Sequence, residues 1–344
     1  GFNRPMTPDR FDQIASRYAD LHVTVIGDVC LDRYMEIDPS LSETSIETGL
    51  EVHNVTRVRA QPGGAGTIIA NLSALGVGKI SVLSYCGNDG EGFELRRKLE
   101  AIRGVDCSNF LTVEGRRTFT YCKPLILEEP IPRELSRLDT KNWTPTPKKI
   151  SNHLAGTLGT LAQKTDAVIV LEQTDQANTG VVTRDVRDQL KYLASLQPNK
   201  PIIADSRRGL HDYPPLSFKM NEAELQTFMR YTNKLDLDVI RSKASELAEQ
   251  FSHPIFITLG ERGIISADKN GIMAHVPSFP VHGPIDEVGA GDSVTANIAT
   301  ALAAGATIEE VCKIAMAAAS YTIHQLGTTG SASVTAIRTL FTVR

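Results

Sequence analysis

The stretch "DAVIVLE" (166–172) places five apolar residues between two acids, with no polar residue among them. A strand with one face in water alternates apolar and polar side chains. An unbroken apolar run is buried on both faces, as in parallel sheets covered by helices on each side. A helical pattern near 178–196 follows, then a second apolar run, "KPIIADS" (200–206). The same rhythm holds elsewhere. "VTVIGD" (23–28), "KISVLSYCG" (79–87) and "PIFITLG" (254–260) read as strands. "GTIIANLSALG" (66–76, Gly76 closing it), "EGFELRRKLEAI" (91–102) and the regions near 236–251, 291–304 and 307–325 read as helices. The alternation predicts an α/β fold: a mostly parallel sheet with helices on both faces. Ligands of such sheets collect at the carboxyl ends of the strands.

Two segments break the rhythm. Residues 34–62 and 117–140 carry strand-like runs, "LEVHNVTRV" (50–58) and "RTFTYCKPLIL" (117–127), without helices between them. They predict a small β lid, leaving 1–33, 63–116 and 141–344 as the main domain. Trp143, beside Pro145 and Pro147, reads as a packing anchor.

Composition excludes several classes. The 344 residues are 41% hydrophobic and 22% charged, values of a folded globular chain rather than a disordered one. The net charge of −4 gives no general attraction to nucleic acid or an anionic membrane. The five scattered cysteines form no C-x-x-C pair, which argues against a disulfide scaffold and for a reducing cytoplasm. No window has the length of a membrane span, and "GFNRPMTPDRFDQ" has no apolar signal core. The eight histidines lack metal-ligand spacing.

Three glycine- or carboxylate-bearing stretches carry chemistry. "DEVGAGDSV" (286–294) runs a Gly-Ala-Gly turn into a helix. A helix N-terminus leaves backbone N–H groups unpaired and partly positive, and Gly289 and Gly291 let an anion approach closely. Asp292 in that first turn is placed to take the proton of an attacking hydroxyl. "QPGGAG" (61–66) also opens a helix, but its spacing is not G-x-G-x-x-G, so it suits a turn beside a polyhydroxy ligand better than a dinucleotide. "GDVCLDRY" (27–34) puts Asp28 and Asp32 just after a strand, where paired carboxylates can hold neighbouring sugar hydroxyls. Arg117, in a basic stretch of the second lid segment, is the candidate for a phosphate already on the substrate. "DSRR" (205–208) follows a strand and is a further candidate lining.

These stretches, in this order, resemble the PfkB (ribokinase-like) family of carbohydrate kinases, with a likeness running through nearly all of the chain. "PGGAGTIIANLSALG" looks like the first signature and "DEVGAGDSVTANIATALAAG" like the second, D-x-x-G-A-G-D. "GDVCLDRY" and "LGTTGS" (326–331) look like the heptose-7-phosphate kinase branch. The resemblance implies a Rossmann-like α/β domain with a β lid that often forms a homodimer, and ATP-dependent phosphoryl transfer to a sugar or sugar phosphate. It implies Asp292 as general base and the amides of Gly289, Ala290 and Gly291 as the anion hole. Asp28, Asp32, Gly63 and Gly64 would face the sugar, with Thr67 in the place of the family's usual Asn and Asn71 one turn on. Through "NEAE" (221–224) it puts Asn221 and Glu224 near a Mg2+–phosphate network. Through "TLGERG" (258–263) it puts Thr258, Gly260 and Gly263 at the nucleotide. Asp286 would sit by a monovalent cation such as K+. Glu287, Val288, Glu172 and Gln173 depart from the family pattern. They leave a catalytically weak sugar-binding or regulatory protein as the alternative. A nicotinamide oxidoreductase is a third reading, for which the dinucleotide fingerprint is missing. No H-x-G-H motif of a fused nucleotidyltransferase occurs, so the chain reads as one kinase domain.

Overall fold

The computed structural model describes residues 5–327 and 329–342. Thr328 of "LGTTGS" and the first four residues of the N-terminal stretch lie outside them. The main sheet is a ten-stranded one, and Ala167–Glu172 lies near its centre. On one side of it come Ile202–Ser206, Ser217–Asn221, Ile255–Thr258, Ile264–Ala267 and Met273–Val276; on the other, His22–Gly27 and Lys79–Gly87. Pairing is parallel from Lys79–Gly87 across to Ile255–Thr258, and antiparallel for the last two strands.

The apolar run explains itself. Ala167, Ile169 and Leu171 point into one core, shared with the helices Ala65–Ala74, Ala290–Ala303 and Ile308–Ile323. Val168 and Val170 point into the other, shared with Lys148–Ala162, Arg184–Leu196 and Leu237–Phe251. Each fully buried Val, Leu or Ile contributes about 1.5–3 kcal/mol, so both faces of the sheet hold the fold together.

The helix expected near 178–196 begins only at Arg184. Residues 178–181 are held in an irregular path instead. Thr146 N donates to Asn178 O at 2.8 Å, Thr146 Oγ1 donates to Gly180 O at 2.6 Å, and Asn178 takes φ +62°. The helix Lys148–Ala162 and the strand Ser217–Asn221 carry no expectation from the sequence.

A second, five-stranded sheet stands over the strand ends. Val29–Ile37 pairs antiparallel with Val55–Gly64 and parallel with Thr120–Ile126. Its first strand starts at Val29, ahead of residue 34, because the chain passes from one sheet to the other through a single residue, Asp28. There the expectation of a sugar contact is corrected. Asp28 is 1% exposed. Its Oδ1 accepts Val181 N at 2.7 Å, and its Oδ2 accepts Gln173 N at 2.8 Å and Thr174 N at 3.3 Å. Its own N–H donates to Leu171 O, and its carbonyl receives Ala65 N at 3.0 Å. With its oxygens turned onto the 173–181 loop, Asp28 pins that loop rather than a ligand. Burial pushes its carboxyl up to about 6, against the pull of those three amides. Replacing Asp28 by Ala strands buried N–H groups, each worth 1–3 kcal/mol, so Asp28→Ala should lower unfolding stability by about 3 kcal/mol. Urea denaturation checks this; an unchanged midpoint would contradict the pinning role.

Candidate active site

The strand ends beneath the lid carry a run of charged groups. Asp205 is the penultimate residue of Ile202–Ser206, and Lys219 stands on the neighbouring Ser217–Asn221. They meet in a buried ion pair, Lys219 Nζ to Asp205 Oδ2 at 3.4 Å. Next along, Asn221 caps the helix Glu222–Met229 in a capping box: its Oδ1 accepts Glu224 N at 2.7 Å, and its N–H donates to Glu224 Oε1 at 3.1 Å. Asn221 lies in register with Thr258. Gly263, at φ +88°, turns the chain after Thr258 so tightly that a Cβ would sit 1.9 Å from Val276 O.

The helix Ala290–Ala303 points its N-terminus into this region. Gly289 caps it at φ +83°, a conformation that glycine adopts without strain. Among the described residues, the N–H groups of Gly289, Gly291 and Asp292 have no hydrogen-bond partner. Ala290 is the correction to the expected trio, because its N–H donates to Glu287 O at 3.2 Å. A Cβ on Gly291 would come within 2.9 Å of Lys219 Nζ, which places the ammonium directly against the helix mouth. Asp292 lies in the same turn. Burial, and then the nearby Asp205, push its carboxyl up to about 6; Arg207 and Lys219 oppose them.

Two cavities meet here. One, of about 380 Å3, lies between lid and main sheet and is lined by Asp32, Gly64, Thr67, Lys123 and Arg137, among others. The other, of about 540 Å3, holds Lys219, Asn221, Glu224, Thr258, Gly260 and Gly263, with an apolar end at Phe279, Met316 and Ile323. Arg207, Val288, Gly289 and Asp292 line both. A larger open depression of about 630 Å3, around Asp166, Lys200 and Leu302, lies at the opposite ends of the strands and contains none of the candidate residues.

Gly63, Asn71 and Arg117 are placed differently from expectation. Gly63 is buried, and a Cβ there would strike Asp32 Oδ2 at 2.2 Å, so it makes room for that carboxylate rather than for a ligand. Asn71 is fully buried and donates back to Thr67 O at 2.9 Å within its own helix. Arg117 stands away from the cavity, paired with Asp89 at 3.6 Å and Glu91 at 3.7 Å; the cations that do line it are Lys123, Arg137, Lys141 and Arg207. Glu172 turns away and accepts hydrogen bonds from Ser206, Arg208 and Tyr213, while Gln173 lines the lid cavity. Asp286 accepts Val288 N at 3.0 Å and lines neither cavity.

Lys219 went unnoticed as a site residue in the sequence, whereas Asp205 opens the candidate stretch "DSRR" (205–208). Lys219 sits two residues before Asn221 on a strand, and that offset was the available signal. No group of three or more His, Cys, Asp or Glu that could hold a metal occurs among the described residues. Asp205 and Glu224 nevertheless face one cavity, and burial followed by Asp205 raises the Glu224 carboxyl. That crowding of hard oxygen donors suits Mg2+, which takes one or two carboxylates and completes its shell with water and phosphate. No helix among the described residues is long and apolar enough to cross a membrane.

Known proteins resemble this chain in sequence and in fold. The family described as pfkB family carbohydrate kinase matches residues 133–335. The bifunctional protein HldE of Bradyrhizobium sp. is 30% identical over 332 residues, covering 94% of this chain and 64% of that protein. The HldE of Hyphomonas neptunium is 29% identical and covers 93% and 63%. The chain thus spans less than two thirds of the length of these curated relatives. Among solved structures, the Arabidopsis thaliana ribokinase complexed with ribose and ATP superposes with a TM-score of 0.67 at 18% identity, over 94% of this chain and 99% of that one. The Escherichia coli phosphofructokinase-2 in complex with potassium gives 0.68 at 19%, over 93% and 98%. By its sequence match and its ribokinase-like fold, the chain belongs to the pfkB family of carbohydrate kinases.

Proposed function

We propose that this chain transfers the γ-phosphoryl group of ATP to a hydroxyl of a sugar or sugar phosphate, with Asp292 as the general base. The observation that carries the reading is the wall shared by the two cavities: Gly289 and Asp292 line both. The larger cavity suits the nucleotide. Phe279, Met316 and Ile323 give a base an apolar bed, and Asn221, Thr258, Gly260 and Gly263 lie toward the phosphates. The lid cavity suits the acceptor, with Asp32, Gly64 and Thr67 at its sugar end. Its cations Lys123, Arg137 and Lys141 support an acceptor that already bears a phosphate.

Transfer of this kind needs alignment and charge stabilisation more than covalent help. The amides of Gly289 and Gly291 and the Lys219 ammonium are fixed before reaction at the place where negative charge grows, which is where such groups act most strongly. Asp205 holds Lys219 in place. Asp292 takes the acceptor's proton as its oxygen attacks. Mg2+, which Glu224 and Asp205 would hold, supplies neutralisation of the phosphate charge. Asp286 offers a monovalent cation one carboxylate oxygen not engaged by Val288, and no step is assigned to it. The relatives' named partners, ribose with ATP and fructose-6-phosphate, support the class of substrate. The free cysteines among the described residues suit a reducing cytoplasm. Val55 and Val58, exposed on the lid's outer strand, suit a homodimer formed there.

Asp292→Asn should leave acceptor and ATP binding largely intact and cut turnover by about a hundredfold or more. Magnesium-dependent ADP release on a panel of sugars and sugar phosphates measures it, and full turnover in the variant would remove Asp292 from the base role. The same carboxyl sets a pH dependence. Only its ionised form accepts a proton, and its midpoint lies at about 6. The kcat/KM should therefore plateau above neutrality and fall about tenfold per pH unit below that midpoint. A flat profile across the midpoint would contradict this assignment.

A further inference from the structure

The acceptor cavity does not end at the lid. A side pocket of about 140 Å3 opens from it, and Tyr121, Lys141, Gln173 and Asp175 line both spaces. Its outer wall is Trp143, the chain's single tryptophan. The packing anchor expected from the sequence is instead 72% exposed, with the Lys141 ammonium 5.9 Å from its ring centroid. Phe119 adds a second aromatic wall. Thr174, also lining the pocket, has a buried Oγ1 with no hydrogen-bond partner. A buried hydroxyl left unpaired calls for an explanation, and a ligand atom supplies one.

From this we infer that the side pocket is a second saccharide subsite, so that the acceptor is a glycosylated sugar whose first ring presents its hydroxyl to Asp292 and whose second ring rests on Trp143. The inference rests on the acceptor reading of the lid cavity and extends it to the substrate's size. The chemistry selects a sugar ring. One face of a pyranose is apolar C–H and packs on an aromatic plane; its rim of hydroxyls suits Thr174 Oγ1, the Gln173 amide and the Asp175 carboxylate. A purely apolar group would leave Thr174 unsatisfied.

Trp143 is its own reporter. Its emission is to be titrated in the full chain with maltose, cellobiose, lactose and trehalose, with their monosaccharides, and with UDP-glucose and UMP as nucleotide probes. The expected result is a saturable emission change with at least one disaccharide at a concentration about tenfold below that needed for its monosaccharides. Thr174→Val, which keeps the fluorophore, should weaken that binding about fivefold through loss of one hydrogen bond. Three results would each overturn the subsite: no disaccharide moves the emission, monosaccharides move it equally well, or UMP and UDP-glucose act in place of disaccharides. Equal affinity in Thr174→Val would also count against it. The kinase reading is tested separately, by ADP release from the unsubstituted chain with monosaccharides and their phosphates, so failure of one is distinguishable from failure of the other.

Discussion

Unpaired amides at the mouth of Ala290–Ala303 govern the rest of the site. A helix end that keeps its N–H groups free inside a protein carries a standing cost unless something negative occupies it. Here the mouth opens between two cavities, and the surrounding charges are arranged around it: the Lys219–Asp205 pair against Gly291, and Asp292 in the same turn. The raised Asp292 carboxyl follows from that crowding, because a carboxylate in a buried place beside another carboxylate holds its proton longer. Gly289 makes the arrangement possible, since its left-handed turn lets the chain reach the helix start without covering the amides.

The lid depends on a different constraint. One residue, Asp28, separates the last strand residue of the main sheet from the first of the lid. Its carboxylate is used up on three backbone amides of the 173–181 loop, which in turn carries Gln173, Thr174 and Asp175 to the cavity beside the second sheet and its side pocket. Asp32, four residues on and across the strand, reaches the cavity because Gly63 has no side chain to displace it. Two acids of one short stretch thus have different places, one buried against the backbone and one facing the cavity. Spacing could not separate them, since both lie beyond the end of the same strand.

Much of the fold was legible. The two-faced apolar runs marked most of the parallel strands, and Gly76 marked a helix end. Lys148–Ala162 was hidden by Gly156, Gly159 and its threonines, poor helix formers that tertiary packing through Leu154 and Leu158 overrides. The 178–183 segment, Asn-Thr-Gly-Val-Val-Thr, is poor in helix formers, and its backbone is claimed by Asp28 and Thr146, so the helix starts only after it.

By itself, the sequence determined the α/β class, the helix mouth at 289–292 and the family, because these are local matters: a repeated apolar period, and glycines placed where a turn must be tight. Asp32, Asn221, Glu224 and Asp292 line the cavities as the sequence suggested, but which of the other polar residues face them was decided only by the tertiary structure. Arg117 and Asn71 satisfy neighbours in the fold, whereas Lys219, Arg137 and Trp143 reach the cleft from separate elements. A side chain's partner is set by what lies across space from it, and chain order does not record that distance.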